Sequence, residues 1–201
     1  MSTDTWLAFA LFAFVSSITP GPNNTMLLAS GVNFGFVRSL PHMAGVTVGF
    51  CLMILLMGLG LGSVFVRFPV LYTVLRYVGG TYMLYLAWKI FRSQPASPAD
   101  NHAAAAKPMG FTAAAAFQWV NPKAWVMALG SVTTYLPAQH TPWQLLALVG
   151  LMGVINMPTT STWALFGSRL RRYLQEPVFL RIFNTLAALA LVASLYPLLI
   201  H

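Results

Sequence analysis

Two helix-breaking motifs interrupt long apolar segments of this chain, about half its length apart. They are Thr19-Pro20-Gly21-Pro22-Asn23-Asn24 and Asn121-Pro122-Lys123. Proline inside a helix removes an amide donor and clashes with the preceding turn. In hydrocarbon, each freed backbone group is costly unless something satisfies it. Broken apolar helices therefore persist where the freed groups line a polar cavity. A matched pair of breaks, one per half, points to a transporter binding site.

The chain has 201 residues, 58% hydrophobic and 7% charged, with a mean hydropathy of +0.71. A soluble domain carries roughly a quarter charged residues. This chain cannot cover itself with a solvated surface. Its length allows about six spans of ~20 residues in a single transmembrane domain over 1–201. The expected spans run from about Trp6 to Val32, Leu40 to Phe65, Val70 to Phe91, Met109 to Tyr135, Trp143 to Phe166 and Ile182 to Ile200. A polar, Ala/Pro-rich stretch, 92–108, separates a first half (1–91) from a second (109–201). Met1 to Thr5 lacks a basic region, and the apolar run that follows exceeds signal-peptide length. It reads as an uncleaved first span.

The net charge is +8. The basic residues are dispersed among loops, which argues for membrane topology and against a nucleic-acid partner. Arg38, Lys89, Arg92, Lys107, Arg169, Arg171, Arg172 and Arg181 fall on one set of alternate loops, Arg67 and Arg76 on the other. The positive-inside rule then puts both termini outside and the central loop in the cytoplasm. Three spans per half enter the membrane in opposite senses. The expected fold is an all-α integral membrane protein of six transmembrane helices, two inverted three-helix repeats with helices one and four broken. Each break lies roughly 15 residues in, about 20 Å at the helical rise, so the two meet near the midplane.

In the first break, Thr19 is expected to cap the half-helix that follows it. Pro20 and Pro22 remove two amides, Gly21 permits an unusual turn, and Asn23 and Asn24 supply carboxamides. The new helix start suits an anion such as a carboxylate. A kink serving only helix packing would need one proline, not Pro-Gly-Pro followed by two asparagines. In the second break, Asn121 caps, Pro122 suits the first helical position, and Lys123 adds a positive charge. A buried lysine is expensive and usually functional. Its partners are either a substrate carboxylate or carbonyls freed by the break. Asn156 lines the cavity or bonds a neighbouring helix. His42 is the candidate for proton coupling, against a plain interfacial role.

Gly45 with Gly49, and Gly150 with Gly153, are expected to permit close helix packing. Trp6, Trp88 and Trp143 are expected as interface anchors. Cys51 is the only cysteine, and Asp4, Asp100 and Glu176 are the only acids, all outside span cores. No metal site and no cofactor is expected. Ser16 and Ser17 have no base at a suggestive spacing, so an intramembrane enzyme is a poor fit. The substrate is expected to be a small molecule. Without a buried carboxylate there is no cage for a basic side chain, which favours neutral amino acids of the homoserine/threonine type.

The chain resembles the lysine exporter (LysE/RhtB) family of bacterial amino-acid efflux proteins. The resemblance is carried by Thr19-Pro20-Gly21-Pro22-Asn23, by Gly31, Gly35 and Arg38, and by Gly45 and Gly49. It continues through Arg76-Tyr77-Val78-Gly79-Gly80-Thr81-Tyr82-Met83-Leu84-Tyr85-Leu86-Ala87-Trp88-Lys89 and Asn121-Pro122-Lys123-Ala124. It implies secondary active export of amino acids or related metabolites across the cytoplasmic (inner) membrane, driven by the proton gradient or membrane potential. A passive channel or a membrane assembly subunit is the alternative. A homo-oligomer is compatible with the sequence.

Overall fold

The computed structural model describes residues 1–93, 107–174 and 176–196. The expected cytoplasmic loop falls largely on 94–106, and the end of the expected sixth span beyond 196. Both lie outside the described residues.

Helix α1 (Thr3–Ile18) starts at Ser2, whose hydroxyl accepts from the Thr5 amide, with Asp4 against the positive end of the helix dipole. It stops at Thr19, where the backbone turns extended. Helix α2 (Pro22–Phe34) restarts with Pro22 in its first turn, at 53° to α1. It ends at Gly35, whose φ of +84° is left-handed and favours glycine. Helix α3 (Leu40–Leu56) runs through a π-helical segment, Met57–Leu61, into α4 (Gly62–Arg67). Gly60, at φ +101°, makes the kink there. Helix α5 spans Pro69–Phe91. The second break separates α6 (Phe111–Phe117) from α7 (Pro122–Tyr135) by a 3-10 turn and Asn121. Helix α8 (Pro142–Leu170) opens with a Thr141/Gln144 capping box. Helix α9 spans Pro177–Ala193.

The expected six transmembrane helices in two inverted three-helix repeats are corrected by these lengths. Among the described residues, two helices are long and apolar enough to cross a membrane: Val37–Val64 and Pro142–Tyr173. The bent α1–α2 pair makes a third if counted as one span. A bilayer core needs about 20 apolar helical residues. A hydropathy window runs through the second break, but the backbone does not, leaving seven residues in α6 and 14 in α7. Helix α9 has 17 described residues. Helix α5 has 23, but tyrosines, glycines, Arg76 and Lys89 dilute its apolar character.

Small residues set the packing. A Cβ on Gly31 would strike the Ala164 carbonyl, and one on Gly167 would strike that of Leu28, so α2 and α8 touch backbone to backbone. Gly45 and Gly49 do the same for α3 against Phe111 and Ala115 of α6, as the spacing led one to expect. The Gly150–Gly153 pair does not behave as expected. Gly153 meets the Cys51 sulfur, but Gly150 faces open space. The main buried cluster gathers Phe9, Phe50, Met53, Ala128, Leu148 and Met152 from α1, α3, α7 and α8. Large apolar side chains cover much of the outside, among them Leu7, Leu11, Val126, Val154 and Leu186. Trp88 and Trp143 are also exposed.

Candidate functional site

A helix that stops inside an apolar interior leaves its last carbonyls without partners. At the end of α1 each of these carbonyls is met. The Thr19 amide donates to the Val15 carbonyl at 3.2 Å. The Thr19 hydroxyl donates to the Ser16 carbonyl at 3.0 Å. Asn24 Nδ2 donates to the carbonyls of Ser17 and Thr19 at 2.7 and 2.8 Å. Trp163 Nε1, from α8, donates to the Ile18 carbonyl at 3.1 Å. Lys123 Nζ, from the other break, donates to the carbonyls of Thr19 and Pro20 at 2.7 and 3.2 Å and to Thr19 Oγ1 at 2.9 Å.

Thr19 therefore does not cap α2, as the sequence reading expected. Its hydroxyl is turned back onto α1 and towards Lys123. The α2 N-cap is Gly21, with no side-chain cap bond. Proline at the first helical position donates nothing, so the Asn23 and Asn24 amides form the open, electropositive start of α2. Lys123 lies across Gly21: a Cβ there would fall 2.7 Å from Lys123 Cδ. The backbone of Gly21 is extended (φ 174°), so a side chain there would act by displacing Lys123 and not through backbone strain.

The second break is built as expected. Asn121 Oδ1 accepts from the Lys123 amide at 3.1 Å, and Pro122 occupies the first turn of α7. The breaks are tied together again by Asn23 and Gln118, whose carboxamides exchange hydrogen bonds at 2.8 and 3.2 Å. Asn156, fully within α8, bonds Ser17 Oγ and Thr47 Oγ1, both at 3.0 Å. It does both things the sequence left open, since it also lines the cavity between the breaks.

That cavity is lined by Ser16, Ser17, Gly21, Asn23, Asn24, Phe50, Asn121, Lys123, Ala124, Met127, Asn156 and Thr160. Its volume is about 20 Å³. A single water needs roughly 10–15 Å³ by this measure, so the space beside Lys123 holds about one water and not an amino acid. No carboxylate lines it among the described residues. Of the expected residues, Gly21, Asn23, Asn24, Asn121, Lys123 and Asn156 line the cavity, and Thr19 and Pro20 hold the lysine. Pro22 and Pro122 shape the helix starts. His42 is elsewhere. It is buried at the start of α3 and faces a second, larger cavity.

Sequence reasoning missed Gln118, Trp163 and Thr160, and weighed Ser17 only as a nucleophile. Gln118 carried a signal, a lone amide in an apolar run three residues before Asn121. Ser17 and Thr160 are small hydroxyls that ordinarily bond back to their own helix, and nothing in the sequence sets them apart. Among the described residues, no group of three or more His, Cys, Asp or Glu could hold a metal.

The chain matches the family described as LysE type translocator over residues 14–195. It is also similar to curated efflux proteins. The "Cysteine/O-acetylserine efflux protein" of Salmonella typhimurium (strain LT2) is 34% identical over 192 residues, 92% of each chain. Its counterpart from Escherichia coli (strain K12) is 33% identical over the same share. That of Klebsiella pneumoniae is 32% identical over 169 residues, 82% of this chain and 83% of the relative. No solved structure matches the chain.

Proposed function

The chain belongs to the LysE type translocator family, and on that premise we propose that it exports small neutral amino acids of the cysteine/O-acetylserine class. It is a multi-pass protein of the bacterial inner membrane and carries its substrate without transforming it. The homoserine/threonine type expected from the sequence gives way to the class for which the relatives are named. The common ground is a small, polar, uncharged side chain. The lack of a carboxylate among the described lining residues supports it. We read residues 1–201 as one transporter domain.

The observation that carries this reading is the Lys123 ammonium seated on the carbonyls of the opposite break. Those carbonyls lie just past the negative end of α1, and α2 with its open amides begins two residues further on. The two ends match the ammonium and carboxylate of an amino acid. In the closed site Lys123 occupies the ammonium position. An arriving substrate takes that position, and the released Lys123 turns to its carboxylate. Alternating access then means breaking and remaking the Lys123 and Asn23–Gln118 bridges between the two breaks.

His42 is the coupling residue in this reading. It is the one histidine buried among the described residues, and it stands apart from the Lys123 site.

Efflux of labelled O-acetylserine from loaded vesicles tests the site. Lys123→Ala should lose transport at least tenfold while eluting as a folded, monodisperse protein in detergent. Wild-type transport by that variant would overturn the assignment. His42→Gln should lose acceleration by a pH gradient while still eluting as a folded, monodisperse protein. Intact gradient-driven efflux would remove His42 from the mechanism. Flux that fails to saturate would mark a channel instead.

A further inference from the structure

We propose that the cavity between α2, the start of α3, the end of α5 and residues 107–113 is a second substrate site. It is the loading site at which the zwitterion of a small α-amino acid binds from the cytoplasmic side. The proposal rests on the export reading above. The cavity has a volume of about 220 Å³, against about 20 Å³ at the breaks. An enclosed space of about 150 Å³ takes a benzene-sized molecule, so this one accommodates cysteine or O-acetylserine.

The polar groups around it divide into two kinds. Ser30 and Asn33 are satisfied within the protein, by Ser39 at 2.7 Å and by Asn184 at 2.9 Å. His42 is not. It is 2% exposed and fully enclosed by the fold, yet neither ring nitrogen has a hydrogen-bond partner among the described residues. A buried imidazole has at least one donor to place, and leaving it unmade costs free energy. Both ring nitrogens are sealed from solvent, so His42 forms part of the cavity wall and the polar contacts to a ligand fall to Lys89 and Lys107.

The charge around the cavity points to a carboxylate. Lys89 and Lys107 line it, and no acidic residue does among the described ones. Tyr82 and Tyr85, stacked on each other at 6.0 Å between ring centroids, also line the cavity and give it an aromatic wall beside which an ammonium is favoured. The sidedness comes from the neighbouring helix ends. Arg171 sits against Gly35 at the end of α2, and Asn184 of α9 donates to the Ser93 carbonyl just past α5. These ends carry Arg38, Lys89, Arg92, Arg171 and Arg172 together, which marks the cytoplasmic face.

The two cavities share α2. Asn23 and Asn24 face the first, while Met26, Ser30 and Asn33 line the second, about 10 Å further along at the helical rise. Between them stand the Asn23–Gln118 bridge and the packed side chains of Met26 and Phe117. A substrate loaded at the second cavity is thus one barrier away from the breaks.

Two measurements in membrane vesicles of defined orientation test this, each with O-acetylserine as the probe. Lys89→Gln should raise KM about tenfold for substrate offered at the cytoplasmic face, with Vmax within roughly twofold and KM at the opposite face unchanged. Lys89→Arg should restore it. In a Cys51→Ser chain, Ala113→Cys should react with a membrane-impermeant thiol reagent from the cytoplasmic face, and O-acetylserine should slow that reaction. Equal KM changes at both faces, no change at either, or no protection while the wild-type chain exports O-acetylserine would overturn the second site and leave the export reading standing. A wild-type chain that moves neither O-acetylserine nor cysteine would overturn the export reading, and the second site with it.

Discussion

Every carbonyl released by the first break finds a donor, and the donors come from three helices. This accounting explains why the interior is rich in carboxamides rather than in charges. Asn24 serves its own break from α2, Trp163 reaches across from α8, and Lys123 comes from α7 in the second half. Lys123, Asn23 and Asn121 could be picked out from the sequence because a charge or amide beside a membrane-helix proline has few other uses. The direction of the Thr19 hydroxyl could not, because a threonine before Pro-Gly-Pro can turn either way. The Asn23–Gln118 pair gives a direct test. Asn23→Ala and Gln118→Ala should each destabilise the protein by about 1–3 kcal/mol, by leaving the other amide unpaired. The double variant should cost less than the sum by about 1 kcal/mol, read from denaturation in detergent. Additive losses would mean that the pair contributes nothing to stability.

At the scale of elements, helix pairs approach as closely as glycine allows. Helix α2 lies on α8 through Gly31 and Gly167, and α3 lies on α6 through Gly45 and Gly49. Gly31→Val or Gly167→Val should therefore sharply reduce the yield of folded protein and its melting temperature in detergent. Gly150→Ala should instead be neutral or stabilise by about 0.5–1 kcal/mol, since it removes backbone freedom where nothing is in the way. Normal stability of the valine variants would contradict backbone contact. The i, i+4 spacing made the α3 contact legible. The failure at Gly150 shows the limit of spacing alone: a small residue marks a close contact only when another helix lies opposite it.

At the scale of the molecule, the exposed surface is apolar where a soluble protein's would be charged. Val126 and Val154 are each 72% exposed, on α7 and α8. In water this would be an aggregation hazard; against lipid it is the expected outer face. Arg in place of either should lower the membrane-integrated fraction, by an insertion cost of about 2.5–3.5 kcal/mol near the bilayer centre and less towards its edges. Unchanged integration of both variants would show that these faces do not meet hydrocarbon. Two cavities separated along α2 then give the protein a path rather than a single pocket.

The sequence by itself determined that the chain is helical, lies in a membrane and breaks its helices at Pro20–Pro22 and Pro122. Hydropathy and proline act locally, on every segment alike, and need no partner to be read. It could not fix how many helices cross the bilayer, because a hydropathy average does not notice where a helix stops. The tertiary structure decided what each break is joined to. For Lys123 the sequence left two partners open, a substrate carboxylate or carbonyls freed by the break; in the fold it rests on the carbonyls of Thr19 and Pro20, 104 and 103 positions away. The physical reason is that a freed carbonyl in an apolar interior must be paired, and only the packed fold determines which donor stands within reach.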